Sequence, residues 1–149
     1  MQLSEHFTLE EMTRSQAAVR KGIPNVLPEA LVPSMRAVCE HVLEPVRAHY
    51  GKPVHVFSGY RSPRVNVAVG GSATSQHCKA EASDFEVIGE ANIDVCQWIM
   101  RNLKFDQLIY EFGPSGWVHC SWRNGPLRNQ VISAVKRGGK TVYLPGLVA

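Results

Sequence analysis

Two short stretches of this 149-residue sequence carry side chains able to ligate a metal together. The first is Ser75-Gln76-His77-Cys78-Lys79-Ala80-Glu81-Ala82-Ser83-Asp84, where a bend followed by a strand can aim an imidazole and a carboxylate at one point. The second is Trp117-Val118-His119-Cys120-Ser121-Trp122, an alternating run that turns His119 to one face and Val118 and Cys120 to the other. Two nitrogens and one oxygen leave the fourth tetrahedral position of zinc open, which is the pattern of a catalytic zinc site and not of a structural one. The helical His-Glu-x-x-His signature of many metalloproteases is absent, and the chain has six histidines in all, so spacing alone makes this trio only a candidate. Cys78 and Cys120 flank two of the proposed ligands. Alternation turns Cys120 away, and a free cysteine usually serves as a small buried apolar residue, so both are left out of the site.

The elements that must position these residues can be read along the chain. Thr8-Leu9-Glu10-Glu11 is a capping box that opens a short helix ending before Gly22. Apolar residues Leu31, Met35, Val38, Val42, Val46 and Tyr50 recur at steps of three and four, so a helix is expected from Pro28 to Tyr50 with Gly51 as its C-terminal stop. Pro45 inside that pattern predicts a kink or break near residues 41–44. Val54 to Ser58 reads as a strand, Ser62 to Ser75 as a loop-rich insertion with a short helix and a Gly70-Gly71-Ser72 turn, and Ser83 to Ile88 as a central strand. A helix from Ile93 to Leu103 follows, then strands Asp106 to Phe112 and Trp117 to Trp122 about a Gly113-Pro114-Ser115-Gly116 turn. Val131 to Lys136 and Lys140 to Leu144 flank the turn at Arg137-Gly138-Gly139 and suggest a closing hairpin. Helices first and mainly antiparallel strands later predict an α+β fold, a central sheet with helices packed on it.

Bulk properties bound the function. With 44% apolar and 19% charged residues, the chain is sized for one domain spanning 1–149. A net charge of +3 without a dense Lys/Arg run gives no nucleic-acid stripe and at most a weak preference for an anionic surface such as a cell wall. No apolar run is long enough to span a bilayer. The four cysteines lack Cys-x-x-Cys spacing, and the first residues lack the order of a secretion signal, so free thiols in a reducing compartment are expected. A monomer without nucleic-acid or membrane partners is the expectation.

The segment around His77 and Asp84 resembles the Ser-x-His-x-x-Gly-x-Ala-x-Asp motif of the D-alanyl-D-alanine carboxypeptidase and peptidoglycan endopeptidase family, peptidase M15. Gly116-Trp117-Val118-His119 is similar to its second zinc motif, and Ser58-Gly59-Tyr60-Arg61-Ser62, Asn66 and Gly70-Gly71-Ser72 resemble the blocks that precede the first. The resemblance runs in order from about Val54 to Trp122. It implies the hedgehog/DD-peptidase fold, one zinc ion held by His77, Asp84 and His119, Arg61 contacting substrate or the developing oxyanion, Ser75 as a further substrate contact, and peptidoglycan stem peptides as substrate. Arg61 can also be read as a turn residue paired with a surface carboxylate, and Asn66 with Gly70-Gly71 as loop-shaping residues.

Two positions depart from the family pattern. Ala80 stands where the motif has glycine, so the bend after His77 either needs no positive φ or is strained. Gly116 stands three residues before His119, where many members carry the acidic general base. Glu111 is the expected substitute. If Phe112 pairs with Trp117, Glu111 opposes Val118 and faces away from His119; a five-residue connection or a bulge is expected to place it opposite His119. Glu86, two residues after Asp84 on the same strand face, is the rival base. Tyr60, Trp117 and Trp122 can line a groove, though aromatic residues on such strands are more often core.

The resulting expectation is a zinc peptidase of the bacterial cell wall. The lack of a secretion signal points to a bacteriophage lysis enzyme or virion-associated lysin, made in the cytoplasm and released or delivered to the wall. A D-Ala-D-Ala carboxypeptidase is the alternative activity. A non-catalytic zinc-binding recognition module on the same fold is the alternative class.

Overall fold

In the computed structural model, which describes residues 1–148, six strands form one mixed sheet in the order β1-β2-β4-β3-β5-β6. The strands are β1 Val54–Ser58, β2 Ala82–Val87, β3 Gln107–Glu111, β4 Trp117–Ser121, β5 Gln130–Arg137 and β6 Lys140–Pro145. All neighbours run antiparallel except β3 and β5, which are parallel, so the α+β expectation holds with one parallel pair. The closing hairpin turns on Gly138 and Gly139, at φ 58 and 76. Two consecutive positive φ values suit the two-residue turn that matches strand twist.

The helices are α1 Leu9–Thr13, α2 Gln16–Lys21, α3 Val32–Val38, α4 Glu44–Tyr50, α5 Pro63–Ala68 and α6 Asn92–Asn102. The capping box opens α1 as expected, with the Thr8 and Glu11 side chains bonding each other's backbone N–H. The single helix expected before Gly22 is two. The chain leaves the helical region at Arg14 (ψ 132), and the Ser15 side chain caps α2 by accepting from Ala18 N. A serine bonds the free N–H groups of a new helix better than it continues an old one.

The long helix up to Tyr50 keeps helical geometry throughout, but residues Cys39–Leu43 widen into a π turn between α3 and α4. Pro45 has no N–H to return to His41, and Glu44 N donates to Cys39 O instead. The predicted kink is thus absorbed as a wider turn. Gly51, at φ 62, ends the helix.

Strand alternation divides the sheet into two faces. Val54, Val56, Phe85, Val87, Leu108, Tyr110, Val118 and Cys120 are buried in a core shared with Met35, Val38 and Val42 of the long helix and Val95, Cys96 and Ile99 of α6. The opposite face carries Asp84, His119 and Ile109 in adjacent register on β2, β4 and β3. Polar chemistry therefore lies across the sheet from the helices that stabilise it.

Candidate metal centre

Asp84 and His119 meet because β2 and β4 pair them directly. His77 arrives from outside the sheet, on the short 3-10 turn Gln76–Lys79 that leads into β2. That turn is closed by Ala80 in the left-handed region at φ 55, where its N–H bonds His77 O while Glu81 N bonds Gln76 O. The strained alternative for Ala80 is therefore the one found. Its methyl group is fully buried, and an L-residue there costs about 1–2 kcal/mol relative to the right-handed region.

The three side chains converge and are at least nine-tenths buried. His77 Nε2 lies 3.3 Å from Asp84 Oδ2, and His119 Nδ1 lies 2.8 Å from Asp84 Oδ1. One donor atom from each residue falls within 4.8 Å of the other two. Ligands about 2.1 Å from a tetrahedral ion sit about 3.4 Å apart, so the spacing and the N2O donor set fit zinc.

A backbone carbonyl fixes which histidine nitrogen is free. His77 Nδ1 is 2.7 Å from Gly59 O, which can only accept, so Nδ1 carries the proton and Nε2 presents its lone pair to the centre. Gly59 is required by space: a Cβ there would lie 2.5 Å from Met12 O, the carbonyl that also accepts from Tyr60 N. The flanking histidines hold the Asp84 carboxyl far below the usual carboxylate range although burial opposes this.

Glu111 is the acid beside this trio. The connection from β3 to β4 does have five residues, 112–116, but it pairs Glu111 with Trp117 and leaves Ile109 opposite His119. Both expected registers are thus corrected. Phe112 and Gly113 take positive φ values of 61 and 70, which lets the chain turn without consuming a further strand residue. Glu111 consequently shares the face of His119 from a diagonal position, with Oε1 3.8 Å from His119 Nδ1. Burial and the Asp84 charge push its carboxyl up to about 7 despite the opposing pull of His119, Trp117 and Arg61. The buried Trp117 indole N–H lies beside this carboxylate without a hydrogen-bond partner of its own. Glu86 shares the strand face of Asp84 but pairs with His55 and contacts neither histidine of the centre among the described residues.

Position 116, three residues before His119, has no room for an acidic side chain. A Cβ at this position would lie 1.7 Å from Glu111 O and 2.8 Å from Glu111 C, both backbone atoms. The tight connection that turns Glu111 towards the centre is therefore the same feature that excludes a side chain at 116.

Arg61 and Ser75 form the adjoining wall. Arg61 Nη2 donates to Ser75 Oγ at 3.4 Å, its backbone N donates to His77 O, and its buried Nε has no partner. No carboxylate pairs with Arg61 among the described residues, so the surface ion-pair reading finds no counterpart. Ser75 Oγ also accepts from His77 N and so caps the 3-10 turn. Asn66 Nδ2 donates to Ser72 O, and a Cβ on Gly71 would lie 2.1 Å from Asn66 Oδ1, which makes both residues loop-shaping. Tyr60 is buried in the core and Trp122 stacks on His41, which leaves Trp117 as the aromatic residue at the centre.

One supporting cluster carries no signal in the sequence. Buried Asp106 accepts from Arg128 Nη2 at 2.7 Å, from Arg128 N at 3.1 Å and from Gln76 Nε2 at 3.0 Å, and Gln76 immediately precedes His77. Asp106 reads locally as a strand-edge acid, and nothing in sequence connects it to Gln76 thirty residues earlier. The Gly59 carbonyl was equally hidden, since backbone acceptors leave no residue-type signal. A family model described as Peptidase M15 matches residues 5–121, and no curated protein matches the chain.

Proposed function

This chain belongs to the peptidase M15 family, and from that premise we propose that it is a zinc-dependent peptidase hydrolysing peptide bonds in peptidoglycan stem peptides. The observation that carries the reading is the convergence of His77 Nε2, the Asp84 carboxylate and His119 Nδ1 with Glu111 on the same face of the sheet. When bound there, zinc supplies a Lewis acid that polarises a carbonyl and makes water a better nucleophile near neutral pH. Glu111 takes the proton from the attacking water and returns it to the leaving amine, without a covalent enzyme intermediate. Arg61, with a donor left over, binds a substrate carboxylate or the oxyanion that develops on the carbonyl. Ser75 holds Arg61 in reach and lines the same wall.

The biological setting we attach to this reading is a phage lysis enzyme or virion-associated lysin. The resemblance of the motif blocks to cell-wall peptidases supports it, and a D-Ala-D-Ala carboxypeptidase is the alternative activity to an endopeptidase. Digestion of purified peptidoglycan with and without chelator, with mass analysis of the products, tests these points together. New amino groups that disappear on chelation, with fragments rather than single D-alanine released, are expected; release of D-alanine alone would make it a carboxypeptidase.

One observation favours a second reading, a non-catalytic zinc-binding recognition module: position 116, three residues before His119, has no room for an acid. Glu111→Gln separates the two. The peptidase reading expects zinc content to be kept and hydrolysis to fall by about 10²–10⁴-fold. Unchanged hydrolysis removes Glu111 as the base, and zinc retention without any hydrolysis by the unmodified protein makes it a binding module.

A further inference from the structure

A groove of about 310 Å³ runs beside the metal centre, between the turn joining α1 to α2 and the outer edge of β1. Arg14 and Ser15 form one wall, His55 to Ser58 of β1 form the other, and Arg61 closes the end nearest the centre. The charge on this lining is one-sided: two arginines and a histidine, with no aspartate or glutamate. Arg14 is exposed and makes no ion pair or side-chain hydrogen bond among the described residues. Arg61 Nε is buried without a partner. Cations left unpaired on both sides of one cleft attract an anion into it.

The groove is continuous with the site through two residues. Arg61 lines it and also bonds Ser75 above His77, and Ser58 lines it while pairing with Asp84 across β1 and β2. β1 is the edge strand of the sheet, so one side of its backbone is available to an extended chain. A bulge at Phe57 shifts its register just before the strand reaches the centre. An extended peptide that lies along β1 thus passes from the groove to the metal-ligating residues.

We propose that this groove is a substrate subsite for a carboxylate carried on the residues flanking the scissile bond, and that Arg14 is its specificity-determining residue. The inference rests on the peptidase reading above and adds to it the class of peptide chosen: an anionic one, read by a guanidinium across the cleft from β1. Arg14 acts through charge-assisted hydrogen bonding, and the break between α1 and α2 is what presents it. A continuous helix through Arg14 and Ser15 would give this wall a different course.

The test uses zinc-loaded Glu111→Gln protein, in which binding is read without turnover, and muropeptides released from peptidoglycan by a muramidase. One half of the preparation is left native and the other has its carboxylates converted to carboxamides. Calorimetric titration is expected to show native muropeptides binding about tenfold more weakly when Arg14→Ala is added, the loss of one hydrogen bond to an ionised group. Amidated muropeptides are expected to bind weakly whether or not Arg14 is present, and Arg20→Ala, an exposed charge of α2 outside the groove, leaves the native affinity unchanged. Native binding that is indifferent to both Arg14→Ala and amidation overturns the subsite while leaving the peptidase reading intact. Absence of both binding and wall cleavage overturns the two together.

Discussion

Replacing Gly116 by aspartate puts an acid three residues before His119, and the structure predicts that the change will damage the protein without supplying a working base. A Cβ at 116 would lie 1.7 Å from Glu111 O and 2.8 Å from Glu111 C. Relief requires the backbone of the connection to move by well over an ångström, because neither atom belongs to a flexible side chain. Ordinary overpacking costs about 1–3 kcal/mol, and a backbone clash belongs at or above the top of that range. About 3 kcal/mol in a domain of this size lowers the melting temperature by roughly 6–12 °C. The movement also displaces Glu111, which pairs with Trp117 across the same connection. Thermal unfolding of Gly116→Ala and Gly116→Asp is the first measurement, and both are expected to melt lower by similar amounts because the methyl carbon is already in conflict. Hydrolysis by Gly116→Asp combined with Glu111→Gln is the second, and no recovery is expected over Glu111→Gln alone. An unchanged melting temperature in Gly116→Ala, or recovery of activity in the double variant, would refute the account of why position 116 carries no acid.

Three other outcomes follow from the packing. Gly59→Ala, with its Cβ 2.5 Å from Met12 O, shifts the carbonyl that orients His77 and is expected to weaken zinc binding about 10–100-fold in a chelator competition; unchanged affinity would remove that carbonyl as the orienting group. Arg128 and Gln76 hold the Asp106 carboxyl below its ordinary value of 3.8, so its contribution is present above that pH and is lost as pH falls through the lowered value. Asp106→Asn should therefore cost about 1–2 kcal/mol in urea unfolding at pH 7, the partner Arg128 being half exposed, and progressively less below pH 3.8; a cost that stays constant with pH would contradict this. Burial pushes the thiols of Cys39 and Cys96 up to about 12 and that of Cys120 higher still, whereas Cys78 is partly exposed. A thiol reagent at pH 8 is expected to modify Cys78 in the native protein and the other three only on unfolding, with fast reaction of all four counting against the core described.

The sequence alone determined the helical and strand segments wherever a period and a stop signal agreed, as at the Thr8 capping box, Val54 to Ser58, Gly51 and the Gly138-Gly139 turn. Residue types made His77, Asp84 and His119 a candidate set, and the ordered motif blocks around them, by their resemblance to a known family, made that set specific. Where local signals competed, tertiary structure decided. Ser15 divided a helix that periodicity left whole, and Pro45 widened a helix that it was expected to kink. Buried Ala80 accepts a left-handed backbone that its residue type disfavours. The position of Glu111 was the least legible, since its face depends on which residues of β3 and β4 pair. That register was set by the left-handed Phe112 and Gly113 and by the absence of a Cβ at Gly116. The Gly59 carbonyl and the Asp106–Gln76 contact lie further beyond sequence reading, because they join residues eighteen and thirty positions apart through backbone and polar atoms that no hydrophobic period records. Residue types therefore named the metal-ligating chemistry, while the course of the backbone in one five-residue connection decided which acid stands beside it.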